Sequence, residues 1–175
     1  MKKAQKGFTI VELLIVIVVI GMLASITIVS YNSVQKRAQN SAIMLEFRAW
    51  QQAFALYKAT SGGYPAMPDN THYCLGTGFQ DGKCRDYLAN NTNTYTEANS
   101  VGLMNQLRTV IQIPSGPKYP INGTVGPYVT FNQSNNGFVG MTIVLHGTST
   151  DCPSQTTYIW DDGNGRLLCE YAFPL

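Results

Sequence analysis

Between Phe8 and Val29 a single side chain can ionise, Glu12, in the run FTIVELLIVIVVIGMLASITIV. A carboxylate in hydrocarbon is costly, and such residues tend to be paired and functional. No basic residue stands between Lys6 and Lys36, so the run itself offers no counter-charge. The chemistry open to Glu12 is electrostatic: it takes a cationic partner from outside the helix, or it lies shallow enough to snorkel to the headgroups. A second group that could do chemistry is Cys74, Cys84, Cys152 and Cys169. They form no C-x-x-C pair and the only histidines are His72 and His146, a set that disfavours zinc. In an exported chain, disulfides are the better reading. Three connectivities are open, of which Cys74 to Cys84 with Cys152 to Cys169 makes each pair bound one local loop; free cysteines filling a core are the alternative. The second loop would clamp the last hairpin, worth about 3 kcal/mol in the chain-entropy account. In WDDGNG, Trp160 to Gly165, Asp161 and Asp162 could hold calcium, but the spacing does not fit an EF-hand loop and a simple turn is favoured. No G-x-S-x-G elbow, phosphate loop or H-E-x-x-H motif occurs, so no enzymatic activity and no cofactor are implied.

The elements that carry these residues follow from composition and periodicity. The chain has 175 residues and a formal charge of +2. Lys2, Lys3 and Lys6 precede the apolar run, and without them nine basic residues stand against ten acidic ones. That near-neutral body argues against a polyanionic partner, and Lys83 with Arg85 is too small a cluster to infer nucleic-acid binding; a solvated loop is the expected setting for that pair. From Phe8 to Val29 a helix would reach roughly 33 Å, enough to cross a bilayer. The leading lysines place its N-terminus in the cytoplasm by the positive-inside rule, so the body is exported. An ordinary cleaved secretory signal has only the weak site MLAS, Met22 to Ser25; an uncut anchor is a second reading.

From Ser30 to Thr60 there is no Gly or Pro, and Ile43, Phe47, Trp50, Phe54 and Tyr57 recur every three or four residues, with Lys36, Arg37, Gln39, Gln51, Gln52 and Lys58 on other faces. One helix of about 50 residues, roughly 75 to 80 Å long, therefore joins a membrane half to an amphipathic half, and its aromatic stripe is expected to seat on a sheet. TSGGYP, Thr60 to Pro65, ends it; Gly21, Ser25 and Thr27 are the weak points in its membrane half. Residues 66–125 are polar and Gly/Pro-rich, with a short helix expected from about Ser100 to Val110 through Leu103, Leu107 and Val110. NNTNTYT, Asn90 to Thr96, should be an exposed loop, and Asn90, Asn122 and Asn132 begin N-x-[ST] sequons of the kind that often arise by chance. In the last third, YVTFNQ and FVGMTIVL flank SNNG, and TTYIW and RLLCEYAF flank DDGNG. These spacings predict two antiparallel hairpins whose apolar face, including Val129, Phe131, Ile143 and Ile159, packs on the helix stripe. The fold class is thus α+β, a helical stem with an α+β head.

The segment KGFTIVELLIVIVVIGMLASITI resembles the prepilin signal of type IV pilins and the related pseudopilins. The likeness covers roughly the first 30 residues. It implies a leader of residues 1–7, cleavage by a prepilin peptidase between Gly7 and Phe8, an N-methylated Phe8, and Glu12 as the fifth residue of the mature chain. It also supplies the missing partner: the new α-amine of a staggered neighbouring subunit could meet Glu12, so that the carboxylate acts as a register device recovered on assembly. Under this resemblance residues 8–30 are the membrane and filament-core half of the helix and 31–61 its amphipathic half. Residues 62–125 are the variable connection and 126–175 the sheet, whose Cys152–Cys169 loop is similar to the disulfide-bounded C-terminal loop of many pilins. The implied product is a pilin-like lollipop that polymerises with itself through the pilus assembly machinery. It would begin as a single-pass precursor in the cytoplasmic membrane and end in an extracellular pilus, with major pilin as the first reading. A pseudopilin of a type II secretion system, a minor or competence pilin, and a membrane-anchored binding protein are the alternatives. Many pilins carry a proline midway along the membrane half, and this chain has none before Pro65.

Overall fold

A computed structural model describes residues 7–67, 71–85, 95–114, 126–132, 138–163 and 165–173. The residues before Gly7, the sequons at Asn90 and Asn122, and the SNNG turn lie outside the described residues. Contacts divide the chain into two units, one ending at Ala38 and one running from Gln39 to Leu175.

Helix α1 (Ile10–Ser61) is 52 residues long and crosses Gly21 without a break. Ser25 and Thr27 return their hydroxyls to the carbonyls of Met22 and Leu23, each at 2.7 Å, so these polar side chains are satisfied inside the helix rather than breaking it. In the first unit the described side chains are all exposed, among them Ile10, Leu13, Ile17, Leu23 and Ile26. The helix is long and apolar enough there to cross a membrane. At its other end Gly62 adopts φ +78° and donates its N–H to the Lys58 carbonyl at 3.0 Å, the left-handed cap that only glycine takes readily.

The second unit contains β1 (Thr71–Cys74), β2 (Lys83–Arg85), β3 (Tyr95–Thr96), α2 (Glu97–Arg108), β4 (Tyr128–Asn132), β5 (Phe138–His146), β6 (Tyr158–Asp161) and β7 (Arg166–Phe173). Five strands form an antiparallel sheet in the order β1-β4-β5-β7-β6, and β2 pairs with β3 separately. Both expected hairpins are present, β4–β5 and β6–β7, and β5 joins them by pairing with β7.

Alternation then assigns the faces. Met141, Ile143 and Leu145 of β5, with Val129, Leu167, Cys169 and Tyr171, form one core with Ile43, Phe47, Trp50 and Phe54 of α1 and Leu103 and Leu107 of α2. The ring of Phe47 lies 4.1 Å from that of Tyr171. Thr142 and Val144 face the other way and are buried too, so β5 is covered on both sides and its sequence runs apolar without clean alternation. Asn40 ties helix to sheet: its Nδ2 donates to the His146 carbonyl at 2.7 Å and its Oδ1 accepts the His146 N–H at 2.9 Å.

Four expectations need correction. Tyr95 and Thr96, expected in an exposed loop, form β3 against β2, and the Tyr95 ring is buried with Phe79 and Tyr128. Helix α2 begins earlier and stops at Arg108, leaving Val110 in the following turn, because Thr109 and Val110 close i→i+3 bonds to Gln106 and Leu107. Ile159 is 42% exposed, since β6 is the outermost strand and three of its four residues meet solvent. Lys83 and Arg85 are not in a solvated loop but in β2, half-buried, where the Cys74–Cys84 bond holds that strand beside β1.

Candidate functional site

Glu12 enters α1 through a local arrangement. Its Oε2 accepts the Thr9 N–H and the Thr9 hydroxyl, each at 2.8 Å, and the Thr9 Oγ1 accepts the Glu12 N–H at 3.2 Å. This reciprocal pattern is a capping box, which satisfies backbone donors that a helix start leaves open. The signal was in the sequence as T-I-V-E, Thr9 to Glu12, and a search for counter-charges alone passes over it. Glu12 therefore has two calls on one carboxylate: the helix end of its own chain and any cation brought from outside.

Gly7 and Phe8 precede the helix and are exposed. Nothing lies within 4 Å of where a Cβ on Gly7 would stand, and its φ is not positive. Among the described residues nothing requires glycine at that position.

In the second unit the cysteines pair locally. Cys74–Cys84 has Cα atoms 5.6 Å apart and Cys152–Cys169 5.7 Å, and there are no free cysteines. Cys169 lies in the main core, while Cys74 and Cys84 pack with Phe79, Tyr95 and Tyr128 in a smaller cluster on the other side of the sheet. That cluster carries charge. Arg85 Nη1 donates to the Tyr128 hydroxyl at 3.0 Å, with the Tyr95 hydroxyl at 3.4 Å, and His72 stacks on the Tyr95 ring at 4.1 Å. Burial, aided by the Arg85 charge, pulls His72 down to about 4, so it is neutral at pH 7. Burial pushes Tyr128 up to about 12 against the pull of Arg85, and raises Glu170 in the same way.

The Asp161–Asp162 turn uses its own carboxylates. Asp161 Oδ1 accepts the Gly163 N–H at 2.9 Å, Asp162 Oδ1 accepts the Arg166 N–H at 3.0 Å, and Asp162 Oδ2 lies 3.2 Å from Arg166 Nε. A cation would have to displace these contacts, which favours the turn reading.

A family model described as the prokaryotic N-terminal methylation motif matches residues 2–28. A fimbrial protein of Pseudomonas aeruginosa is 30% identical over 137 residues, covering 77% of this chain and 83% of that protein. The chain belongs to the type IV pilin family. This pilin is also 50% identical over 46 residues to the type IV major fimbrial protein FimA of Dichelobacter nodosus, across 26% of its own length and 30% of the relative's. Against the type IV major pilin protein PilE of Neisseria gonorrhoeae it is 38% identical over 71 residues, 41% of each chain. No solved structure matches. The kinship and the exposed apolar helix together fit a membrane-anchored precursor that is assembled into an extracellular pilus.

Proposed function

We propose that this pilin is the major structural subunit of a type IV pilus-like filament. It is made as a single-pass precursor in the cytoplasmic membrane, cut by a prepilin peptidase between Gly7 and Phe8, and methylated on the Phe8 amine. It then polymerises with itself through α1 with the help of the pilus assembly machinery. The observation that carries this reading is a helix whose described side chains are all exposed from its start to Ala38, while one stripe of its second half is buried by the head. A surface so apolar is stable in lipid or against another apolar surface, such as copies of the same helix. The printed names of relatives such as FimA support the major-subunit role; a pseudopilin or minor pilin would share the same N-terminus. The leader of residues 1–7 and the membrane half of residues 8–30 belong to this proposal, as does Glu12 as the partner of a neighbour's α-amine.

Two experiments test it. The mass of the N-terminal peptide from the native host should start at Phe8 and carry one extra methyl group; an intact Met1, or a start beyond Ser25, would overturn the processing step. For Glu12, the capping box separates the two roles, because glutamine also serves at that position of the box. Glu12→Gln keeps the cap and removes the charge. If Glu12 registers subunits by charge, Glu12→Gln and Glu12→Ala should both insert as precursor and both lose sheared surface filaments. Normal filaments from Glu12→Gln would reduce Glu12 to a helix cap.

A further inference from the structure

On the face of the sheet turned away from α1, four residues stand in one cross-strand row: Tyr128 opposite Thr142, Thr142 opposite Glu170, and Glu170 opposite Tyr158. In the next row Val144, Leu168 and Trp160 lie side by side. Arg85 reaches this face from β2, its guanidinium carbon 5.3 Å from the centre of the Tyr128 ring. All of these except Val144 line a cavity of about 180 Å³.

Each part of that lining restricts what could enter. The volume is below the roughly 300 to 1,000 Å³ of sites for drug-sized ligands, so it takes one ring rather than a chain. Arg85 and Glu170 place one charge of each sign in the wall, which favours a neutral ligand over an anion or a cation. The Trp160 face already holds a cation, Arg166, at 4.9 Å, which works against a quaternary ammonium guest. Glu170 is half-buried, and among the described residues no hydrogen bond or ion pair reaches its carboxylate, leaving an acceptor for two hydroxyls. The Thr142 hydroxyl is already bonded to that of Tyr128, so Arg85 supplies the donors and Tyr158 the ring surface at the exposed edge.

We propose that this cavity binds one neutral pyranose ring, its C–H face on the Tyr158 ring and its hydroxyls on Glu170 and Arg85. The proposal is independent of the filament reading, since every group in it lies within the second unit. It is tested on the full-length, detergent-solubilised chain by saturation-transfer NMR and by Trp160 emission. The probes are methyl glucoside, methyl galactoside and N-acetylglucosamine, with glycine and tetramethylammonium as competing ligand classes. At least one glycoside should bind saturably with a dissociation constant on the order of millimolar. Glu170→Gln and, separately, the surface change Tyr158→Ala should each weaken it about tenfold, with the cooperative unfolding transition intact. No saturable glycoside signal, a glycoside signal indifferent to both variants, or preferred binding of glycine or tetramethylammonium would overturn the assignment.

Discussion

Replacing the Cys152–Cys169 bond measures how the last two strands are held. The double change Cys152→Ser with Cys169→Ala removes a cross-link that closes a loop of sequence separation 17. In the chain-entropy account such a loop confines the unfolded chain by about 10 cal/mol/K, or about 3 kcal/mol at 25 °C. Truncating the fully buried Cys169 sulfur adds on the order of 1 kcal/mol of lost packing. For a unit running from Gln39 to Leu175, a loss of that size should lower the melting temperature by roughly 10 °C or somewhat more. The assay is thermal and urea unfolding of the detergent-solubilised full chain, oxidised, followed by circular dichroism. Adding dithiothreitol to the variant should then remove Cys74–Cys84, of separation 10, for a further loss of about 2.7 kcal/mol. A first loss below about 1 kcal/mol, with the bond confirmed by mass in the parent protein, would refute the loop-closure argument. It would mean that the β6–β7 ladder and its core contacts already order this segment without a covalent tie.

Two further outcomes follow from the head. Asn40→Ala removes both hydrogen bonds to His146 and should destabilise by about 2 kcal/mol in urea titration, with Asn40→Asp recovering little because the Nδ2 donor to the carbonyl is gone. His72 is held below its ordinary value, so its contribution is complete above pH 6.5 and is lost as pH falls from there toward about 4. For this partly exposed ring that loss is roughly 1 to 2 kcal/mol after solvent screening, and Arg85, Tyr95 and Tyr128 are the groups that face it. Glu170, raised by burial, acts in the opposite sense, contributing at low pH and losing that contribution as pH rises through its elevated value. His72→Gln should therefore flatten the acid limb of a stability–pH curve, and an unchanged limb would show that another group governs it.

Where a pattern was local and periodic, the sequence sufficed. Ile43, Phe47, Trp50 and Phe54 advertised a buried stripe by spacing alone, and all four are in the core. Gly62 marked the helix end because its left-handed backbone disfavours any residue with a Cβ. DDGNG announced the β6–β7 turn, and the cysteines paired with the nearest partner. What escaped was set by distance along the chain. THYC, Thr71 to Cys74, is too short to show alternation and becomes β1 only by pairing with β4, more than fifty residues later. The cluster of Arg85 with Tyr95 and Tyr128 joins three separate segments, so no window of sequence contains it. Ile159 carried the right alternation, but its strand lies at the sheet edge, a fact of topology that periodicity does not encode.

The Asn40–His146 pair sets where mechanical load would travel. Any pull delivered along α1 meets the sheet first at the end of β5, the central strand, which is bonded to β7 from Val139 to His146 and to β4 from Phe138 to Thr142. Tension entering at the middle of a sheet loads many ladder bonds together in shear. Tension entering at β1 or β6 would open them one at a time, like a zipper. A head tethered this way can transmit force while its edge strands β1 and β6 stay unloaded.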